Sequence, residues 1–170
     1  MVKIEDLKRI NLLKDFPDHL LEIIANKAQL SIFGTDTQLI DVKERVTTYY
    51  MLIMGQVAVK RELTPTIDII LDNIQSGSSF GTSALIEGEG SSATYTAVCQ
   101  EPSEVITLSG ETMKQLFKEN HELAYHMMLG VAKQYKKKMD TRAQMIMKTL
   151  DENPELKEDI NDIENLTLVI

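Results

Sequence analysis

The sequence predicts a mainly β domain with flanking helices, of the sandwich or jelly-roll kind. Two observations lead there. Between residues 30 and 108 the chain breaks into short β-type runs separated by turn signals. Before and after that stretch, apolar residues recur instead at helical spacing. A length of 170 residues, with 43% hydrophobic and 26% charged residues, suits one ordinary domain with a real core and a short appendage.

Residues 4–30 read as helical, since Leu20, Leu21, Ile23, Ile24 and Leu30 fall at helix-compatible spacing. Asp15 or Phe16 ahead of Pro17 marks a helix start with proline in its first turn. The β-type runs are 29–33, 38–42, 48–54, 56–62, 66–74, 92–99 and 103–108. Runs 48–54 and 56–62 read as a hairpin joined across Met54-Gly55, with Gly55 supplying a positive φ. Thr64-Pro65-Thr66 and Ser76-Gly77-Ser78 mark further turns. Such spacing fits double-sheet packing, which protects strand edges, but does not by itself choose among all-β architectures.

Ser109 is placed to cap a helix starting near Gly110, with Glu111 favourable in its first turn. After a break around Glu119-Asn120-His121, a second helix is predicted over about 122–150. Its stripe is Met128, Val131, Tyr135, Met139, Arg142 and Ile146, at steps of three or four. At roughly 40 Å it is longer than one small β domain needs to cover. Five of the nine methionines lie between Met127 and Met147, and their soft side chains pack adaptably. The first half of this helix fits either the domain's own sheet or a partner, and the second half is better assigned to intersubunit packing. In the tail, Leu156, Ile160 and Ile163 fit a short amphipathic helix, and Leu166 to Ile170 a strand.

Composition excludes several functions. The net charge is −8, of which residues 151–170 carry −6. An acidic chain is a poor nucleic-acid binder, because duplex affinity depends on neutralising phosphates. Lys136-Lys137-Lys138 reads as a solvated helix face. No apolar run approaches a membrane span; the longest, Tyr49 to Met54, reads as a buried strand. The first residues hold acids and no apolar signal core, and a lone Cys99 forms no intramolecular disulfide, so a cytoplasmic location is expected. His19, His121 and His126 all fall in helical or helix-boundary segments, which supplies no strand-borne metal set. No nucleophile–base pair or Walker-type loop is visible, so no enzyme is expected.

The most specific motif is Ser76-Gly77-Ser78-Ser79-Phe80-Gly81-Thr82-Ser83-Ala84-Leu85-Ile86, followed by Ser91-Ser92-Ala93-Thr94. It resembles the phosphate-binding cassette of cyclic-nucleotide-binding domains, the sensor module of the catabolite-activator/Fnr regulators and of cyclic-nucleotide-gated proteins. That cassette reads Phe-Gly-Glu, two residues of which the second is Ala, then Leu, a variable loop, and Arg-x-Ala-Thr. Phe80-Gly81, Ala84-Leu85 and Ala93-Thr94 fall in register, whereas Thr82 stands for the acid and Ser91 for the arginine. The "Leu-Leu, acidic, Phe, then amphipathic helix" opening is similar too. The resemblance implies a double-stranded β-helix (jelly roll) of the cyclic-nucleotide-binding type, with a long C-terminal dimerisation helix. It also implies a following winged helix-turn-helix, for which no recognition helix fits after Leu150. Haem, known in relatives, would have only the three histidines and Cys99 to draw on.

The expected organisation is an N-terminal helical segment 1–30, a jelly roll with cassette and following helix 31–120, a dimerisation helix 121–150 and an acidic tail 151–170. The candidate ligand-binding residues are Phe80, Gly81, Thr82, Ser83, Ala84, Ser91, Ser92, Ala93 and Thr94. In the family's cassette a turn and helix start aim backbone N–H groups at a cyclic phosphate, arginine adds a charge-assisted contact, and glutamate accepts the ribose 2′-hydroxyl. Here Thr82-Ser83-Ala84 can supply the amides, and Ser83, Ser91, Ser92 and Thr94 the hydroxyls. Arg45, Lys60 and Arg61 are the cations that could enter from elsewhere, although exposed strand or loop charge explains each as well. Tyr135 and Arg142 fit either the pocket or the dimer seam, with the seam preferred.

The functional expectation is a homodimeric, non-catalytic sensor with no certain cofactor and no metal, taking a cyclic nucleotide weakly or another small anionic effector. The alternative is a ligand-free dimeric interaction module whose acidic tail recruits a protein partner. Neither reading involves nucleic acid or membrane.

Overall fold

The computed structural model describes residues 2–64, 67–86 and 92–155. The chain opens with helix α1 (Ile4–Lys8) and helix α2 (Asp18–Ala25), joined by hydrogen-bonded turns. The helical reading of 4–30 is therefore corrected to two helices, with residues 9–17 between them outside either helix. Pro17, which has no N–H to continue a helix, is the N-cap of α2 rather than a residue of its first turn. Leu7, Ile10, Leu13, Leu20, Leu21 and Ile24 are nevertheless fully buried, so the apolar pattern was a core pattern. Leu30 leaves the helix because strand β1 (Gln29–Phe33) pairs antiparallel with a later strand, setting Leu30 opposite Ile106.

The strands that follow are β2 (Gln38–Ile40), β3 (Thr48–Met54), β4 (Gln56–Thr64), β5 (Ile67–Gln75) and β6 (Ser79–Phe80). The short helix α3 (Ser83–Ile86), then β7 (Thr96–Cys99) and β8 (Ser103–Ser109), complete the β region. Two four-stranded sheets result, ordered β1-β8-β3-β6 and β2-β7-β4-β5, with neighbouring strands antiparallel. This is the expected jelly roll with flanking helices. The turn between β3 and β4 is made by Gly55 at φ 98°, as the hairpin required. Two details differ from the sequence reading. Run 92–99 becomes a strand only from Thr96, since Ser92 makes just an isolated bridge to Arg45. Strand β6, two residues long, gives no periodic signal. The turn at Pro65-Thr66, the helix expected around Leu156, Ile160 and Ile163, and the strand expected over Leu166 to Ile170 fall outside the described residues.

Alternation along β3 serves two cores. Met51 and Ile53 join Ile106 and Leu108 of β8 against the helices. Leu52 points the other way, with Val105, Val57, Val59 and Cys99, into the space between the sheets. Helix α4 (Gly110–Glu119) starts as expected, with the Ser109 hydroxyl accepting from the Thr112 N–H at 3.1 Å. Asn120 then breaks the helix, and its side-chain oxygen accepts from the Leu123 N–H at 2.9 Å, capping helix α5 (His121–Glu152). Contacts divide the chain into two compact units, the first ending at Val131 and the second starting at Ala132. Leu123, Met127 and Val131 belong to the first unit's core. No described helix is long and apolar enough to cross a membrane.

Cys99 is fully buried, and its backbone is held at both groups: its N–H donates to Thr37 and its carbonyl accepts from Asp36. Burial pushes its thiol above the ordinary value, with a Ser103 side-chain hydrogen bond opposing the shift. A thiol that keeps its proton is a poor nucleophile, so Cys99 is a packing residue. The unfolded thiol ionises near pH ~8.5 while the folded one still holds its proton, so stability falls as pH rises above that point. Urea unfolding of wild type and Cys99→Ala across pH 8 to 10 should show a shallower alkaline loss in the variant; parallel curves would contradict the assignment.

Candidate functional site

The cassette is built as a turn, a short helix and a ribbon, each fastened to β3 or to the loop before it. Ahead of it, the Gly77 N–H donates to the Leu52 carbonyl at 2.7 Å, and the Leu52 N–H donates to Ser78 at 2.9 Å. Phe80 is buried and stacks on Tyr50, with centroids 4.9 Å apart and planes within 8°. Gly81 has φ 75°, and a Cβ there would lie 2.5 Å from the Thr48 carbonyl oxygen. Any side chain would meet both a left-handed backbone and this close approach, so glycine at position 81 is required by geometry. The Ala84 and Leu85 N–H groups donate back to Gly81 and Thr82, which winds α3. Ala84 lies buried against Gly110, where α4 begins.

Of the candidate residues, the structure brings Phe80, Gly81, Thr82, Ser83 and Ala84 together in one turn. Thr82 and Ser83 are half-buried there. Ser92, Ala93 and Thr94 form the second part of the cassette, with Ala93 buried and its two neighbours exposed. This part is zipped to the loop between β2 and β3. The Lys43 N–H donates to the Ala93 carbonyl at 2.9 Å, and the Ala93 N–H donates to Glu44 at 2.8 Å. Arg45 and Ser92 form an antiparallel bridge. Ser91, which stands where the family has arginine, lies outside the described residues.

A cleft of about 130 Å³ adjoins the cassette, lined by Asp41, Glu44, Arg45, Thr47, Thr48 and Tyr50 among others. It shares the Thr48–Tyr50 wall against which Gly81 packs. At that volume the cleft itself suits a compact group, since pockets for drug-sized ligands span about 300–1,000 Å³. The Tyr50 hydroxyl donates to the Leu39 carbonyl at 2.8 Å. Burial pushes its phenol above the ordinary value, partly opposed by a hydrogen bond with the Thr48 side chain. Tyr50 is therefore a neutral wall at physiological pH.

Sequence reasoning passed over two features of this site. Tyr50 looked like one more apolar strand residue, although its stacking on Phe80 defines the wall. Lys43 adopts φ 72°, a left-handed conformation that a search for glycines would not find. Its position directly before Glu44-Arg45 was the only available signal.

The remaining candidates lie on α5. Val131 is buried in the first unit's own core and so has no face left for a partner. Met128 is partly exposed, and Tyr135, Met139, Arg142 and Ile146 are exposed. The histidines are dispersed. His19 contacts Glu122 at 3.3 Å, His121 lies 3.2 Å from the Phe117 carbonyl, and His126 packs on Phe16. Among the described residues no three His, Cys, Asp or Glu side chains gather as a metal ion would require.

Comparison with known proteins agrees with this geometry. The family model for the cyclic nucleotide-binding domain matches residues 32–120. The chain is 27% identical over 116 residues to the cAMP-activated global transcriptional regulator CRP of Pasteurella multocida, covering 68% of this chain and 55% of that one. It is 33% identical over 92 residues to the global nitrogen regulator of a Nostoc species, covering 54% and 40%. The chain thus spans about half the length of the curated relatives it matches. A cyclic nucleotide-binding domain from Methylobacillus flagellatus superposes with a TM-score of 0.73 at 16% identity, covering 86% of this chain and 81% of that one. With the cassette frame, the paired four-stranded sheets and the flanking helices in place, the chain belongs to the cyclic nucleotide-binding domain family.

Proposed function

We propose that this chain is a non-catalytic sensor module whose cassette takes a small anionic ligand, with affinity for cyclic nucleotides weakened. The observation that carries this reading is a cassette with its backbone frame held and a hydroxyl, Thr82, half-buried where the family's pattern has an acid. A carboxylate accepts a ribose hydroxyl strongly, and an arginine pairs with phosphate through charge; threonine and serine supply neither. Losing one partner of a buried charged pair costs about 2–5 kcal/mol, or tens- to thousands-fold in affinity.

Output through self-association fits the exposed apolar side chains of α5, where Tyr135 is 54%, Met139 74% and Ile146 60% exposed. Such a stripe along one helix marks an interaction face. We assign it to a homodimer seam of Met128, Tyr135, Met139 and Ile146 flanked by Arg142, with Val131 left to the domain core. No DNA-binding output is part of this reading. A second reading is a ligand-free dimeric module recruiting a protein partner through the acidic tail.

Thermal unfolding against cyclic mononucleotides, cyclic dinucleotides and small anionic metabolites separates the two. A ligand at a hundred times its Kd stabilises the fold by roughly 2.7 kcal/mol. The sensor reading predicts a shift with a small anion, and a larger cyclic-nucleotide shift in the double variant Thr82→Glu, Ser91→Arg. No shift with any compound in wild type, together with an inert but folded double variant in calorimetry, selects the ligand-free module.

The seam has its own test. Light scattering at micromolar concentration should give a dimer, and Met139→Glu with Ile146→Glu should give a monomer. A monomeric wild type would contradict the assignment.

A further inference from the structure

We infer that Arg45, which lies outside the cassette's sequence motif, is the cation of the anion site, and that the ligand group it takes is a compact oxyanion, phosphoryl or carboxylate. The inference rests on the sensor reading above and names the residue that would carry it. The ribbon joining residues 43–45 to 92–93 fixes the placement. The Lys43 and Ala93 backbone hydrogen bonds set the register, and Arg45 falls opposite Ser92. Side chains directly opposed in an antiparallel pair leave from the same face, with Cβ atoms about 4.5–5.5 Å apart. The guanidinium therefore starts beside the Ser92 hydroxyl. Arg45 also lines the cleft with Thr47 and Thr48, and Thr48 is the residue against which Gly81 packs.

The chemistry fits a compact oxyanion. A guanidinium presents several N–H donors in a plane that matches two oxygens of a phosphoryl or carboxylate group. Arg45 already takes part in an interaction within the protein, and its fork has donors for a second. Asp41 and Glu44 line the same cleft, so their negative charge opposes an anion and sets an upper limit on affinity. Because Arg45 is exposed, the contact is screened by salt.

The test is a titration of isotope-labelled protein with inorganic phosphate, and separately with acetate, at constant ionic strength maintained by sodium chloride. Saturable amide shifts are expected at residues 45–48 and 92–94, and the anion giving the tighter curve identifies the group. Arg45→Gln should weaken binding about tenfold or more, as loss of a charged hydrogen bond implies. Glu44→Gln should tighten it several-fold, a gain that a merely structural role for the loop would not produce. The backbone bonds of both residues survive these changes, so a dispersed spectrum verifies the fold. Equal affinity in wild type and Arg45→Gln overturns the assignment, as does the lack of a saturable response to either anion. A small-anion thermal shift shared equally by wild type and Arg45→Gln leaves the sensor reading standing and removes Arg45 alone.

Discussion

The close approach of Gly81 to the Thr48 carbonyl is the contact on which the rest of the site depends. It brings the cassette turn onto β3, the strand that pairs with both β8 and β6 and sends side chains into both cores. From that point the turn is held by Phe80 on Tyr50, by the backbone bonds of Ala84 and Leu85, and by the packing of Ala84 under α4. None of these contacts uses a charged side chain. The frame of a nucleotide cassette is therefore separable from its ligand chemistry. Substituting the acid by Thr82 and the arginine by Ser91 leaves the architecture supported.

That separation explains how a chain can belong to the family while departing from its binding pattern. Packing and backbone hydrogen bonds favour retention of Phe80, Gly81, Ala84 and Ala93, all of them buried. The side chain of Thr82, half-buried in the same turn, takes part in none of these holding contacts. A charged group at a binding site supplies affinity only when its counterpart arrives. Replacing it by a hydroxyl removes the charge without greatly disturbing the fold.

Much of the fold was legible in the sequence because its signals were local. Gly55 announced the hairpin, Ser109 the start of α4, and the apolar run from Tyr49 to Met54 a buried strand. The helical reading of the N-terminal segment ran too long because a buried apolar pattern looks helical even when turns carry it, whereas Pro17 correctly marked the start of α2. Strand β6 was illegible, since two residues have no period and are paired only through Tyr50 and Met51 of a distant strand. The cassette itself could be read from its spacing. The ribbon that places Arg45 opposite Ser92 could not, because it joins segments nearly fifty residues apart without a repeating pattern. On α5, Val131 shares the spacing of the exposed stripe but is claimed by the domain core, which spacing alone does not reveal.

The central claim is that the cassette is held by its own backbone and packing, with no ligand needed. Native-state hydrogen exchange on the ligand-free protein tests this most directly. The amides of Lys43, Leu52, Gly77, Ala84 and Ala93 donate the bonds that fasten the frame, so they should exchange far more slowly than an unstructured chain. Exchange of Gly77, Ala84 and Ala93 at unprotected rates, with the Leu52 amide still protected, would contradict the account.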